Sequence, residues 1–514
     1  MSPTGQRAVI DFLASPAAHG GAAVDRIDTH SAIVFLAGRR ALKLKREIRF
    51  DYLDFSTAAL RHDACVREVE INRRAAPGIY RGVVAVTRDA GGALAFDGAG
   101  EPIDWCVDMV RFDQEALLDR VAARGGLTID MAERMAVSVA RFHAGAERRL
   151  DQGGAAGLRW VIDGNALGFA GPGRGILPPR AASALTAAAV AELERQAPLL
   201  DRRRAAGFVR QCHGDLHLRN IVLLDGQPTP FDAIEFNDAI ACGDVLYDLA
   251  FLVMDLWRRG LRPHANVLLA HYMTETLDHE ALALMPLFLS CRAAVRAKTS
   301  ATAAGLQTQA DERLALETLA REYLSMSAAF LKPAGPVLVA IGGRSGTGKS
   351  TLARALATDI GAAPGAIVLR SDELRKALVG VPSGDRLEAD GYATDVTARV
   401  YATMADRAAS IVKAGHAAVA DATFLIAADR AAIENAARAA AVPFVGLWLD
   451  APLDILLARV AGRVGDASDA DACVVRQQMR EDPGPLTWRR VDASTSVPDV
   501  LETARRLAVR SRHA

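Results

Sequence analysis

The stretch VLVAIGGRSGTGKS, Val337–Ser350, decides the reading of the second half of the chain. Its apolar start predicts a buried strand, GRSGTGKS a glycine-rich turn, and the residues from Ser350 onward a helix, which is the context of a P-loop. Gly343, Gly346 and Gly348 let backbone N–H groups turn inward around phosphate oxygens, with Arg344, Ser345 and Thr347 completing the loop, while the helix presents its positive end. Lys349 is placed to neutralise the β and γ phosphates of a nucleotide. The Ser350 hydroxyl can ligate magnesium, and Thr351 adjoins it with no separate task.

Outward from this loop, strand and helix alternate. AIVLRSD, AAVADATF and PFVGLWLD read as strands, with helices between them, and such alternation predicts a parallel sheet covered on both faces. Asp372 and Asp421 end two of those expected strands. Ligands of open parallel sheets bind outside the carboxyl ends of the strands, so both carboxylates are expected at the nucleotide cleft. Asp421 suits a Walker B role toward magnesium, and Asp372, followed by Arg375, suits binding or deprotonating an acceptor hydroxyl. Residues 376–392 read either as an acceptor-binding insert or as a surface loop.

Upstream, HGDLHLRN at His213–Asn220 sets Asp215 on a tight turn and an amide, Asn220, five residues later; Asp232 follows the apolar run IVLLDGQPTPF. A phosphoryl acceptor hydroxyl needs a carboxylate to orient it and take its proton, and the nucleotide's magnesium needs hard oxygen ligands. Asp215 suits the first task, Asn220 and Asp232 the second. His217 and Glu235 adjoin this set, with two readings open: substrate contact or orientation of the site, and a hydrogen bond that stabilises the loop.

The surrounding pattern is strand-rich and then helical. SAIVFLAGRRALKLKREI predicts a hairpin about Gly38, VREVEINRRAA a helix, and RGVVAVTRD, GALAFD and IDWCVDMVRF further strands, before a mostly helical stretch to Tyr323. A small strand-rich lobe before a helical lobe predicts an α+β bilobal domain. The segment LKPAGP, Leu331–Pro336, breaks the helical pattern and reads as a linker. The expected organisation is therefore a kinase-like domain over 1–333, with lobes at about 25–110 and 111–330, and an α/β P-loop domain over 334–514.

With these motifs in place, the first half resembles the aminoglycoside phosphotransferase family, which is related in fold to protein kinases. The resemblance implies that Lys43, in ALKLK, contacts the nucleotide's phosphates, that Glu68, in REVEINRR, orients it as an ion pair, and that MVRF, Met109–Phe112, lies near the interlobe hinge. Lys45 points to the same strand face as Lys43. His143, Trp105, Asp244 and Asp248 read as structural. Two departures stand out: no GxGxxG loop occurs in the first hairpin, and Asp232 is followed by Ala233, Ile234 and Glu235 where a glycine is commoner. Arg292, Arg296 and Lys298 share a helical face, read as solvated and salt-bridged or as an anion contact.

The second half resembles small P-loop kinases such as gluconate kinase, chloramphenicol phosphotransferase and zeta toxin, grouped with AAA-type ATPases. RVAGRVGDASDAD, with Arg459 and Arg463, resembles a lid that closes over the phosphates and stabilises charge during transfer.

Composition bounds the remaining classes. A chain of 514 residues suggests roughly two to four domains. Lys plus Arg and Asp plus Glu both total 61, so no global footprint for nucleic acid or anionic membrane is present. Asp11 interrupts the apolar stretch near the N-terminus, and no run approaches a membrane span, which predicts a cytoplasmic protein. Cys65, Cys106, Cys212, Cys242, Cys291 and Cys473 form no CxxC pair and argue against a disulfide framework or zinc site. The expected function is bifunctional phosphorylation of small-molecule hydroxyls with ATP and magnesium. Two competitors are a P-loop ATPase switch coupled to a ligand-binding domain and a polynucleotide-kinase-like enzyme. The second ranks lower because Phe424, Phe444, Trp448, Trp488, Tyr392 and Tyr401 are dispersed along the second half.

Overall fold

In the N-terminal region, alternating apolar residues on both sides of Gly38 form the antiparallel strands Ala32–Ala37 and Arg40–Lys45, joined by a turn in which Gly38 has φ +53°. This hairpin sits in a six-stranded sheet of spatial order Val24–Asp28, Ala32–Ala37, Arg40–Lys45, Glu101–Val110, Tyr80–Arg88 and Leu94–Phe96. The computed structural model describes residues 3–50, 52–381, 385–462 and 468–510. The chain divides into two compact units, Met1–Arg174 with Ala182–Asp255, and Gly175–Ala181 with Leu256–Ala514. That division falls inside the helix Val245–Arg258, well before the Leu331–Pro336 linker read from the sequence.

Within the first unit, Thr57 caps the helix Ala58–Asn72 by accepting from the Leu60 N–H at 3.2 Å, as an N-terminal threonine does. One face of that helix buries Cys65, Val69 and Glu68 against the sheet. The HGD loop lies between the short strand Val209–Gln211 and the hairpin Ile221–Leu224/Gln227–Pro230. The helix Val245–Arg258 holds it: Asp248 accepts from the backbone N–H groups of His213 (3.1 Å) and Gly214 (2.8 Å), and Asp255 accepts from that of Leu218 (3.1 Å). His143 Nε2 lies 3.1 Å from Asp248, which joins two of the residues read as structural; Asp244 instead pairs with the buried Arg203.

The second unit contains the expected parallel sheet, in the order Ile367–Arg370, Ala418–Asp421, Leu338–Gly343, Phe444–Asp450 and Arg489–Asp492. The last strand was not legible because Arg489, Arg490 and Asp492 are exposed and only Val491 is apolar and buried. Val339, Ile341, Val419, Leu447 and Leu449 form the centre of its core with Leu352 and Leu356 of the P-loop helix. The helix Arg262–Thr276 belongs to the same unit, and its buried Asn266 donates to the Ala366 carbonyl at 2.9 Å, beside the edge strand.

Three expectations change on folding. Asp372 does not end a strand; the strand stops at Arg370, and Asp372 occupies the first turn of the helix Ser371–Val379. Arg292, Arg296 and Lys298 are not a solvated face, because the helix Ala310–Phe330 packs along theirs, Met285–Leu306. Arg292 is buried, Arg296 lies over the Tyr323 ring at 5.8 Å, and burial pulls Lys298 below the ordinary lysine value. Four of the aromatics dispersed in sequence gather in space, with Trp488 packed on Phe424 at 5.0 Å and on Phe444 at 5.9 Å and Tyr401 on Phe424 at 5.5 Å between ring centres, while Tyr392 lies on the P-loop cleft.

All six cysteines are free thiols, and five are buried. Among the described residues, no helix is long and apolar enough to cross a membrane. His416 is buried with Nε2 2.7 Å from the Gly365 carbonyl, and burial lowers its pKa to about 4. The unfolded chain, with an ordinary histidine near 6.5, therefore binds the extra proton first as pH falls. Between pH 6.5 and 4 the native state is expected to lose about 2–3 kcal/mol through this residue, measurable by denaturation across that window in wild type and His416→Gln. Equal pH slopes in the two proteins would contradict the assignment.

Candidate active sites

In the first unit, strand alternation points both Lys43 and Lys45 toward the helix that carries Glu68. Glu68 accepts from both: Lys43 Nζ reaches Oε1 at 2.8 Å and Lys45 Nζ reaches Oε2 at 2.7 Å. Lys43 also pairs with Asp232, and Lys45 with Glu235. The two lysines thus divide the acidic groups between them. Lys43 joins Glu68 to Asp232, while Lys45 joins Glu68 to Glu235 in the interior, over the Phe55 ring at 5.0 Å.

Burial opposes the charge on Lys43, but Asp232, Glu68 and Glu235 outweigh it and hold the ammonium well above its ordinary value. Burial likewise works against ionised Glu68, and the two lysines reverse it, so the carboxyl lies below the usual range. At Glu235 burial wins and pushes the carboxyl up against the pull of Lys45. Of the two readings for Glu235, the structure has it buried against Lys45, away from solvent.

The HGD loop brings the remaining residues together. Asn220 Nδ2 donates to both the carbonyl and the Oδ2 of Asp215 at 3.0 Å, and His217 Nε2 lies 3.3 Å from the same Oδ2. Asp232 has φ +64°, and its backbone N–H donates to Tyr80 Oη at 3.0 Å. Burial, reinforced by Glu68 and Asp232, raises the Tyr80 phenol well above its ordinary value, so it stays protonated. The backbone of Ala233 is also held, its N–H donating to Asn72 Oδ1 at 2.8 Å. With its Nδ2 turned to Asp215, Asn220 keeps the amide oxygen as a hard donor, and Asp232 adds a partly exposed carboxylate; this donor chemistry fits a magnesium ion.

In the second unit the P-loop backbone turns where only glycine is tolerated. Gly343 has φ +137°, and a Cβ there would come within 2.4 Å of the Leu449 carbonyl oxygen; at Gly346, with φ +88°, it would lie 2.7 Å from that of Leu456. The loop opens on a cleft of about 710 Å³ lined by Lys349, Ser350, Asp372, Asp421 and Arg459, with Tyr392 on the wall. Ser345 and Thr347 are buried, the Ser345 N–H donating to Gln478 Oε1 at 2.8 Å and the Thr347 hydroxyl to the Arg344 carbonyl at 2.7 Å. Lys349 Nζ donates to that same carbonyl at 3.1 Å, and Arg344 itself donates to the Gln478 carbonyl at 3.0 Å.

Ser350 and Asp421 converge on one cation. The buried Arg370 guanidinium lies 3.2 Å from Ser350 Oγ and 3.5 Å from Asp421 Oδ2, so both oxygens face a common positive charge, which fits a metal-binding pair. Burial, with Asp421 adding repulsion, raises the carboxyl of Asp372 above its ordinary value. Arg459 donates to the Ala493 carbonyl at 2.9 Å from the helix Leu453–Ala461. Arg463 lies outside the described residues. The 385–392 segment lines the cleft through Arg386, Leu387 and Tyr392, and Asp469 ties it down by accepting from the Leu387 N–H at 3.0 Å and the Tyr392 hydroxyl at 2.9 Å. Arg370 was assigned nothing from the sequence, where it stood only as the first polar residue of AIVLRSD; a charged residue directly before an SDELR helix start was the available signal.

Comparison with known proteins supports two kinase-type regions in one chain. Residues 98–284 match the phosphotransferase enzyme family, and residues 338–483 match an AAA domain of the P-loop kinase type. An uncharacterized protein of Mycobacterium tuberculosis is 30% identical over 490 residues, covering 92% of each chain. An adenylyl-sulfate kinase of Myxococcus xanthus is 36% identical over 120 residues, 23% of this chain and 59% of its own length. Among solved structures, a choline/ethanolamine kinase family protein from Mesorhizobium loti is 12% identical with a TM-score of 0.35, covering 64% of this chain and 99% of that one. The chain belongs to the family of the mycobacterial protein, with a phosphotransferase-family region followed by a P-loop AAA region in a single polypeptide.

Proposed function

We propose that each region transfers the γ-phosphoryl group of ATP to a hydroxyl of its own small-molecule acceptor. The observation that carries this reading is the Asp215, Asn220, Asp232, Lys43 and Glu68 constellation in one unit and a separate P-loop cleft in the other. In each reaction the acceptor oxygen forms a bond to phosphorus, the bridging P–O bond of ATP breaks, and ADP leaves.

At the first site Asp215 takes the proton of the acceptor hydroxyl, with His217 and Asn220 fixing the carboxylate. Lys43, held by Glu68, turns from Asp232 to the phosphates. At the second site the P-loop amides and Lys349 hold the phosphates, Asp372 receives the acceptor proton, and Arg459 offsets charge that develops in transfer. Magnesium, held by Asn220 and Asp232 in one site and by Ser350 and Asp421 in the other, would neutralise phosphate charge. The functional boundary is assigned near residue 334, just before the AAA match begins.

The test is transfer of labelled phosphate from ATP into a metabolite extract, comparing wild type with Asp215→Asn and Lys349→Ala. Each variant is expected to lose a different labelled product. Loss of one shared product in both variants, or no labelled product from wild type, would overturn the bifunctional reading.

A further inference from the structure

The guanidinium that joins Ser350 to Asp421 has no part in the reaction as derived above. Arg370 is the last residue of its edge strand, is 4% exposed, and reaches three elements. Nη2 lies 3.2 Å from the Ser350 hydroxyl on the P-loop helix, Nε lies 3.5 Å from Asp421 at the end of the neighbouring strand, and Nη1 donates to Glu373 at 2.8 Å on the helix that follows. Glu373 is itself 4.0 Å from Arg354. The two oxygens suited to a divalent cation are thus already engaged by a cation covalently part of the chain.

We propose that Arg370 is a built-in counter-ion of the P-loop cation position, and that a nucleotide-bound divalent cation must displace it. A guanidinium and a divalent ion within a few ångströms of each other repel strongly in a partly buried site. Ser350 and Asp421 cannot serve both at full strength. Glu373 supplies the alternative: as the guanidinium withdraws from Ser350 and Asp421 it keeps its bond to Glu373, so the arginine is not left buried without a partner. Arg370 and Glu373 together set how readily the loop accepts its metal, and they are positioning residues that need not touch the phosphates.

The inference rests on the P-loop binding a nucleotide, and the experiment separates the two. Calorimetry with ADP in chelator measures nucleotide binding alone, and electron paramagnetic resonance of Mn²⁺ at saturating ADP measures the metal directly. Arg370→Met is expected to tighten Mn²⁺ binding at least about threefold. Glu373→Gln, which weakens the place to which the guanidinium retreats, is expected to loosen it by a similar factor, with ADP binding in chelator unchanged in both. An Arg370→Met protein with unchanged or weaker Mn²⁺ binding overturns the proposal, as does Glu373→Gln with unchanged or tighter binding. Should Arg370→Met fail to fold, Glu373→Gln decides alone. Absence of ADP binding in wild type would instead remove the nucleotide reading beneath it.

Discussion

Asp215→Asn is expected to lower turnover at the first site by about 10²–10⁴-fold, the contribution typical of a positioned general base. The substitution preserves shape and one acceptor oxygen, so the hydrogen bond from Asn220 Nδ2 can persist and the HGD loop keeps its supports from Asp248 and Asp255. What is removed is the negative charge and, with it, the ability to take a proton. ATP affinity should therefore change little, since Lys43, the lysine proposed to meet the phosphates, and Glu68, which holds it, are paired independently of Asp215. The measurement is single-turnover phosphate transfer to the product lost in the extract experiment, with nucleotide binding followed separately. Undiminished transfer would remove Asp215 from its role, and parallel loss of ATP binding would mean that the change had damaged the loop.

The second large effect is on stability. Glu68→Ala is expected to cost about 3–5 kcal/mol, because it strips one carboxylate from two ammonium groups at once. Glu68 has no exposed surface and Lys45 is 1% exposed, so Lys45 cannot recover hydration without local opening. Lys45 would retain Glu235 and Lys43 would retain Asp232, leaving two separate pairs where one connected network stood. Lys43→Met should cost less, as its side chain is 15% exposed. Urea unfolding of the three proteins provides the comparison. A Glu68→Ala cost no greater than that of Lys43→Met would show that the network contributes little beyond its individual pairs.

The readability of this chain depended on the range of the interactions involved. Local periodicity sufficed for the Gly38 hairpin and for the strands of the parallel sheet other than Arg489–Asp492. GRSGTGKS carried its own backbone requirement, visible as positive φ at Gly343, Gly346 and Gly348. By contrast, one of the two partners of Lys45 is Glu235, 190 residues away, and nothing in ALKLK distinguishes the lysine that faces Asp232 from the one that faces the interior. Asp372 was assigned to a strand end because the apolar run before it has no internal marker of where pairing stops. The compact-unit division at Asp255/Leu256 was equally hidden, since the helices beyond it carry the same alanine-rich pattern as those before.

The bond from Asn266 to Ala366 bears on how the chain can be divided. Ile367–Arg370 is an outer strand of the sheet, paired with Ala418–Asp421 on one side. Such strands recruit further strands when left bare, and covering them with a helix is one way proteins avoid self-association. Here the helix Arg262–Thr276 packs beside that edge and ties to it through the buried amide of Asn266. A fragment beginning at residue 334 would retain the entire phosphate loop and yet lose this cover, exchanging a shielded edge for an adhesive one. The shielding of that edge thus depends on residues that precede the P-loop by some seventy positions, on the far side of the Leu331–Pro336 linker.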